Sequence, residues 1–232
     1  MKRNCQLEAT CLVDQDLIKQ IAFHEAGHAT AIYLYNKQKQ LPPVFFQITI
    51  KAVDRLIDSV LNTSQQHHQH VSGAIEGGHL IQSLPVTFIN NADYFSVSEQ
   101  AAHRTAFEAD MINLMVGPLA EAKHVAMRDN EHFNAQLVNI HALHNYGGSS
   151  DLAKIDDYLD AFIGLKSQYE KKLAELFDIA FNFISSPVYW KAIERLADYI
   201  YNHRETTISC EEAIAVLDKS INEESTNGQR WN

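Results

Sequence analysis

The sequence has little cysteine, few prolines and glycines, and no long apolar run. Its three cysteines, Cys5, Cys11 and Cys210, are odd in number and form no C-x-x-C pair, which argues against both a disulfide framework and a thiolate zinc site. No stretch approaches the roughly 20 apolar residues that cross a bilayer. The basic start of the chain has no apolar segment after it, as a signal peptide requires. We therefore expect a protein of the reducing cytoplasm, without a membrane partner.

Positive charge is also scarce. Lys and Arg number 19 against 29 Asp and Glu, which gives a formal net charge of −10. Nucleic-acid partners select for clustered Lys and Arg, so the charge balance argues against such a partner. Hydrophobic residues make up 46% of the 232 residues and charged residues 21%. This composition is ordinary for a globular protein, and the length suffices for one large domain with a substantial core.

The most informative stretch is His-Glu-Ala-Gly-His at residues 24–28. It lies in a segment without proline, Leu17 to Tyr35, whose apolar residues recur with helical spacing. On a helix, His24 and His28 are one turn apart on one face, where both imidazoles can bind a single ion. Glu25 can then point at a water on that ion without binding the ion itself. The motif is typical of a zinc peptidase. The alternative is a chance occurrence in a chain with twelve histidines.

The flanks of this helix are predicted from their capping and breaking residues. We expect residues 1–13 to form a loose arm, with Asp14 or Asp16 as the N-cap. The helix should end before Pro42 and Pro43, which cannot continue it. Gly27 inside the helix either permits close approach of another backbone or is a tolerated glycine.

Two strands are predicted between the first and second long helices. Residues 44–53 are β-branched and aromatic with an alternating pattern, and Gly78 to Leu84 forms a second apolar stretch before Pro85. In hydrolytic zinc sites an edge strand lines the cleft and pairs with extended substrate. The histidine-rich tract at residues 64–70 is predicted to be a solvated loop. Its alternative role is metal buffering through His67–His70.

A second long helix should open at Ser96 with a capping box that Glu99 completes, and Pro118 should kink or restart it. Glu121 follows among small and apolar residues, so its carboxylate should be buried and have a partner or a metal. Asp151 follows a Gly-Gly turn at the start of a helix and is either a capping residue or a ligand. A catalytic zinc needs a third protein ligand and an open position. From the residues alone, Glu121 and Asp151 both remain candidates.

The C-terminal region is predicted to be helical. One helix covers Leu165 to Ile184, a second begins at Pro187, and a third begins with a capping box formed by Ser209 and Glu212. The polar tail, residues 223–232, is expected to be disordered.

Several segments together resemble the peptidase domain of the FtsH family of AAA+ zinc proteases, over about residues 14–220. In chain order, the segments that carry the resemblance are 24–28, 48–50, 78–85, 116–121, 148–152 and, in the C-terminal helices, 193–200 and 208–213. The resemblance implies that Asp151, and not Glu121, is the third ligand of one zinc ion per chain, beside His24 and His28. It also implies that Glu25 is the general base and that Glu121 orients a ligand histidine.

The chain also departs from that family. Family members carry membrane helices and an ATPase module with a G-x-x-x-x-G-K-[ST] phosphate loop, and neither occurs in these 232 residues. Pro118 stands where the family has an arginine. The resemblance therefore implies a free-standing zinc endopeptidase that works without ATP on peptides or unfolded protein segments. A monomer and a homo-oligomer both fit the sequence.

The expected fold is mainly α with a small β-sheet, an α+β, zincin-like helical metallopeptidase domain. It divides into the arm at 1–13, a zinc peptidase core at 14–165, C-terminal helices at 166–222 packed on the same domain, and the tail at 223–232. The alternative function is a non-catalytic zinc-binding adaptor that holds peptides. Such an adaptor has no need of a base at Glu25.

Overall fold

The structure, a computed structural model, describes residues 3–55, 68–81, 96–162 and 166–228. The helices of this part of the chain are α1 (Arg3–Thr30), α2 (Asn36–Gln38), α3 (Val97–Arg128), α4 (Ser149–Phe162), α5 (Lys166–Ser185), α6 (Pro187–Asn202) and α7 (Cys210–Gly228). Its strands are β1 (Phe46–Arg55), β2 (His68–Gly77) and β3 (Thr207–Ile208). The prediction of a mainly α protein with a small sheet is confirmed. Among the described helices, none combines the length and apolarity that crossing a membrane requires.

Helix α1 is longer than predicted. It begins at Arg3, so residues 3–13 are helical and not a loose arm, and Asp14 and Asp16 lie inside the helix instead of capping it. Residues 3–26 contain no glycine or proline, so no helix breaker interrupts this part of the chain. The predicted start came too late because the apolar spacing that indicated the helix is clear only from Leu17 onward.

The first helix changes its geometry directly after the histidine motif. Ala31–Tyr35 form a π-helical turn, and the short helix α2 follows. Gln40 has a φ of 55°, a left-handed conformation that ends the helix before Pro42, as predicted. Turns of π-helix are frequent beside functional sites.

The sheet is antiparallel with the strand order β2-β1-β3. Strand β1 confirms the strand predicted at residues 44–53. The second predicted strand, Gly78 to Leu84, is wrong, because β2 ends at Gly77 and residues 78–81 are not a strand. Residues 82–84, the end of that prediction, lie outside the described residues.

The histidine-rich tract is only in part where a loop was predicted. His68 and His70 belong to β2 and lie opposite Arg55 and Val53 of β1, which contradicts the predicted solvated loop. Residues 64–67 lie outside the described residues. The error arose because pairing with β1 supplies backbone hydrogen bonds that the local polar composition does not indicate.

Helix α3 begins at Val97, directly after Ser96, as predicted. The side chain of Glu99, which was to complete the capping box, lies outside the described residues. Pro118 lies inside the helix, which continues to Arg128 as one element, so the predicted restart does not occur.

Helices α1 and α3 pack closely at Gly27. A Cβ atom at this position would lie 2.7 Å from the Val116 carbonyl oxygen and 2.7 Å from Cβ of Ala120. These distances are far shorter than van der Waals contact. Gly27 is therefore required for the close approach of the two helices, which decides between the two explanations that the sequence left open.

The C-terminal helices α5, α6 and α7 occur where they were predicted. Helix α5 packs on α3 and α6 packs on α1, so residues 166–222 share the hydrophobic core of residues 14–165. The capping box of α7 is confirmed, because the backbone N–H of Ser209 donates to Glu212 Oε2 at 2.9 Å and the N–H of Glu212 donates to Ser209 Oγ at 3.3 Å. Helix α7 extends to Gly228, so the predicted disordered tail is wrong for residues 223–228. Residues 229–232 lie outside the described residues.

Candidate metal centre

Two histidines of α1 face the same space. His24 and His28 are buried, and their Nε2 atoms are 3.1 Å apart. The spacing of four residues places the two rings one turn apart on a single face of the helix. The predicted juxtaposition of the two imidazoles is therefore confirmed.

The second nitrogen of each ring, Nδ1, is held from outside this space. His28 Nδ1 donates to the backbone carbonyl of Asn113 at 2.8 Å. His24 Nδ1 donates to Glu121 Oε2 at 3.0 Å. A carbonyl oxygen and an ionised carboxylate can only accept hydrogen bonds, so this network assigns the proton of each neutral ring to Nδ1. Each Nε2 consequently presents a lone pair to the space between the two rings.

A carboxylate from a distant part of the chain reaches the same space. Asp151 lies in the first turn of α4, at the position that the sequence predicted. Its Oδ2 lies 3.3 Å from His24 Nε2, and its Oδ1 lies 3.6 Å from His28 Nε2. Asp151 Oδ2 is buried and has no hydrogen-bond partner in the part of the chain that the structure describes. Asp151 therefore does more than cap its helix.

With both rings neutral, three buried electron-pair donors converge without a proton between them. Such an arrangement is unfavourable by itself, because buried acceptors without a partner and a buried carboxylate both cost free energy. A cation at the centre satisfies all three groups at once. The ligand atoms of His24, His28 and Asp151 lie within 4.8 Å of one another. These residues could accordingly hold one metal ion.

The electrostatics of the cluster also favour positive charge. Burial disfavours the imidazolium form of His24, but its short contact with Asp151, its hydrogen bond to Glu121 and the charge of Glu25 outweigh burial and raise the pKa of His24 to about 10. The cluster therefore takes up one positive charge, which is a proton on His24 when no metal ion is bound. Burial raises the pKa of the Asp151 carboxyl, and the two histidines more than offset this, so that its pKa lies well below the ordinary value. The carboxylate is therefore ionised and ready to bind a cation.

Glu25 is buried beside these groups but does not belong to the cluster of ligand atoms. Its side chain lies against β2, where a Cβ atom on Gly73 would be 2.5 Å from Glu25 Oε1. Among the described residues its carboxylate has no hydrogen-bond partner. Burial raises its pKa, and the neighbouring histidines oppose that shift. A carboxylate whose pKa is raised in this way suits the exchange of a proton with water.

A second glycine, Gly117 on α3, leaves the space that the His28 ring occupies. A Cβ atom on Gly117 would lie 2.2 Å from Nε2 of His28, inside the imidazole ring's own volume. This role of Gly117 was not predicted from the sequence. The signal that could have indicated it is the glycine itself, since glycine within a helix is unfavourable by about 1 kcal/mol and calls for a packing reason.

The cluster opens into a cavity of about 580 Å³. One wall is β2, the edge strand of the sheet that the described residues form, and not β1, which is central. The backbone N–H of Gly78 donates to the Phe45 carbonyl, so Gly78 faces β1. Along an antiparallel strand every second residue faces the same neighbour, so the even-numbered residues of β2 also face β1. The backbone N–H and C=O groups of Gly73 and Ile75 therefore point away from β1, to the other edge of β2 at the cavity.

Other residues of the cavity were missed from the sequence. Asn113 supplies its backbone carbonyl to His28, which no side-chain pattern indicates. His79 and Asp110 also line the cavity. His79 lay within the predicted strand at residues 78–84, and no role was predicted for Asp110. His141 and His144 lie on a short 3₁₀ helix, are exposed, and do not join the ligand cluster.

Comparison of the chain with protein-family models, with curated proteins and with solved structures finds no match. The candidate site is thus defined by its own residues: three converging side chains that could bind a metal, a carboxylate without a hydrogen-bond partner among the described residues, and a cavity along β2, the edge strand of the described sheet.

Proposed function

We propose that this protein is a zinc-dependent endopeptidase that hydrolyses peptides or unfolded protein segments without ATP. One zinc ion would be held by His24, His28 and Asp151, with the fourth position open. The proposal includes a zincin-like fold and a relationship to the FtsH peptidase domain. The support for that relationship is the set of short sequence segments that resemble the family.

The convergence of the His24, His28 and Asp151 side chains is the observation on which the proposal depends. Two ligands about 2.05 Å from a tetrahedral zinc ion lie about 3.3 Å apart. His24 Nε2 lies 3.1 Å from His28 Nε2 and 3.3 Å from Asp151 Oδ2, and the other carboxylate oxygen, Asp151 Oδ1, lies 3.6 Å from His28 Nε2. This agreement supports a small tetrahedral ion with nitrogen and oxygen ligands. Glu121 and the Asn113 carbonyl support it further, because metal-binding histidines usually donate their other N–H to such acceptors.

Glu25 is the group that turns a metal site into a hydrolytic one. When bound, zinc lowers the pKa of water from about 15.7 toward about 7 and polarises a carbonyl. Glu25 accepts the proton of the attacking water as the water oxygen bonds to the scissile carbonyl carbon. It then gives that proton to the amide nitrogen as the C–N bond breaks. Its burial, and the absence of a hydrogen-bond partner for it among the described residues, fit both steps.

The shape of the cavity supports an extended peptide as substrate. The free edge of β2 offers backbone N–H and C=O groups at Gly73 and Ile75, next to Glu25. A peptide that adds to this edge is bound through its main chain, irrespective of its sequence. Most backbone of a folded protein is already paired or too bulky in its context to enter the cavity as a single extended strand, so the substrates are peptides and unfolded segments.

The test is metal content and casein cleavage of the purified full chain, with and without a chelator. We expect one zinc per chain and cleavage that the chelator abolishes. Glu25→Gln should retain the metal and lose cleavage by about 10²- to 10⁴-fold, the usual contribution of a general base. Glu131→Gln is the matched control, because it makes the same change at an exposed position and should cleave like the parent.

Two results would contradict the proposal. A Glu25→Gln variant that cleaves as fast as the parent shows that the proposed mechanism is wrong. Stoichiometric metal without turnover, over casein and a broad peptide library, supports the non-catalytic adaptor instead. Several weakly held ions in place of one would support metal buffering by the tract at His67–His70.

A further inference from the structure

A third imidazole, His79, lines the cavity that contains the metal centre. It follows β2 directly, after Gly77 and Gly78, which have φ values of 84° and 78°. Residues other than glycine rarely adopt this left-handed backbone conformation, so the turn formed by the two glycines does not tolerate other residues easily. A Cβ atom on Gly78 would also lie 2.5 Å from Ile32 Cδ1 of the π-helical turn. The turn takes the chain off the strand edge and places His79 in the cavity wall.

A buried carboxylate fixes the backbone just beyond His79. Asp110 of α3 is fully buried, and its two oxygens accept the backbone N–H groups of Leu80 at 2.8 Å and Ile81 at 2.9 Å. Burial of a carboxylate is expensive unless it is hydrogen-bonded. Two hydrogen bonds from consecutive backbone amides therefore identify Asp110 as the anchor of this segment.

Two neighbouring positions on one face of α3 fix both the segment of His79 and a proposed metal ligand. Asp110 anchors the segment of His79, and Asn113, one turn further along α3, accepts the hydrogen bond from His28 Nδ1. Positions three residues apart on a helix lie on the same face. The position of His79 relative to His28 is consequently set by one rigid element and not by a loose loop.

His79 is near the metal centre but is not one of its ligands. Its ring nitrogens do not join the set of ligand atoms that lie within 4.8 Å of one another in the described part of the chain. It interacts electrostatically with His28, Asp151 and Lys154. Burial and the charge of Lys154 lower the pKa of His79, so its ring is neutral at pH 7. A neutral imidazole keeps one N–H to donate.

We propose that His79 is a further catalytic residue, which donates an N–H hydrogen bond to the oxygen of the scissile carbonyl as that oxygen gains negative charge. The inference rests on the proposed peptidase function and adds to it a donor that is contributed by the turn after β2. The neutral N–H transfers no proton and stabilises the charge through the hydrogen bond alone. Fixed donors of this kind act strongly in a site from which water is largely excluded.

The experiment measures kcat and KM for casein-derived peptides with His79→Ala and His79→Gln, together with zinc content. Removing one such donor typically lowers kcat by about 10²- to 10³-fold. We expect this loss for His79→Ala, with KM nearly unchanged and one zinc retained. His79→Gln carries an amide N–H and should recover part of the loss. His132→Ala is the matched control, because it removes an exposed histidine outside the cavity.

The outcomes separate this inference from the proposed function. If Glu25→Gln is inactive but His79→Ala cleaves like the parent, the function stands and the role of His79 is wrong. Loss of zinc in His79→Ala, or a His79→Gln variant no better than alanine, also overturns the donor role. A parent that binds zinc but shows no turnover overturns both proposals.

Discussion

Gly117 offers the most direct test of the metal centre, because a single methyl group placed there meets a ligand. The Cβ of Gly117→Ala would lie 2.2 Å from His28 Nε2, 2.4 Å from Cε1 and 2.5 Å from Cδ2. This is about 1.2 Å closer than ordinary van der Waals contact. The imidazole must move by about that much. A zinc–nitrogen bond is only about 2.0–2.1 Å long, so a displacement of that size breaks it.

The expected loss can be stated as an affinity and as a melting temperature. Mutation of a residue that hydrogen-bonds to a metal ligand typically lowers metal affinity by about 10- to 100-fold, and displacing the ligand itself should lower it by at least about 100-fold. Zinc at 100 times its Kd stabilises the native state by about 2.7 kcal/mol. For a chain of this length, that is about 5 to 10 °C in Tm. A chelator should lower the Tm of the parent by this amount and leave Gly117→Ala unchanged.

Helix propensity works against this outcome, which makes the test stringent. Alanine is favoured over glycine inside a helix by about 1 kcal/mol, so any loss arises from the contact with His28. The matched control is Gly73→Ala, whose Cβ would meet Glu25 Oε1 and Ile21 Cγ2, both at 2.5 Å, and no ligand. Gly73→Ala should keep its zinc and lose cleavage, since its contacts displace Glu25, the proposed general base, and involve none of the three proposed ligands.

Metal content by mass spectrometry, thermal unfolding with and without chelator, and casein cleavage distinguish the two variants. A Gly117→Ala protein that holds one zinc as tightly as the parent would refute the position of His28 as a ligand. A Gly73→Ala protein that loses zinc would show that Glu25 or β2 takes part in binding the ion, contrary to the ligand set of His24, His28 and Asp151.

Three further predictions concern groups around the centre. Glu121→Gln should weaken zinc affinity by about 10- to 100-fold, measured by competition with a chromophoric chelator, because it removes the charge that orients His24. Burial raises the pKa of Asp110 from 3.8 to about 6, so the native state binds this proton more tightly than the unfolded chain and loses stability as pH rises through that interval. Asp110→Asn should therefore gain up to about 3 kcal/mol relative to the parent between pH 4 and pH 8 in urea unfolding. Ser209→Ala should cost about 1 kcal/mol, measured in the same way, because it removes the side-chain half of the capping box with Glu212.

Each of these has a result that would contradict it. Unchanged zinc affinity in Glu121→Gln would show that the orientation of His24 does not depend on that carboxylate. A stability difference between Asp110→Asn and the parent that is constant from pH 4 to pH 8 would contradict the raised pKa. Comparing each variant with the parent at the same pH cancels the contributions of the other titrating groups. For Ser209→Ala, an unfolding midpoint equal to that of the parent would refute the contribution of the cap.

Local signals in the sequence predicted most of the helices correctly. The capping box at Ser209, the proline at 187 and the apolar spacing of α5 and α6 depend on neighbours a few residues away, so they could be interpreted without a fold. The strands were less predictable. The second strand was placed at Gly78 to Leu84, whereas β2 occupies residues 68–77. A strand is stabilised by its partner, here β1, and the sequence does not show which segments pair.

The side chains that could bind a metal on the first helix are evident from the order of residues alone. The spacing of His24 and His28 on one helix and the presence of Glu25 between them follow from local order alone, since the period of the helix fixes them. The remaining features depend on how the helices pack. Packing brings Asp151 to within 3.3 Å of His24, places Gly117 where no other residue fits beside His28, and brings the buried Glu121 to Nδ1 of His24. These contacts join residues that are 89 to 127 positions apart, because helix packing, and not local order, sets the distances between them.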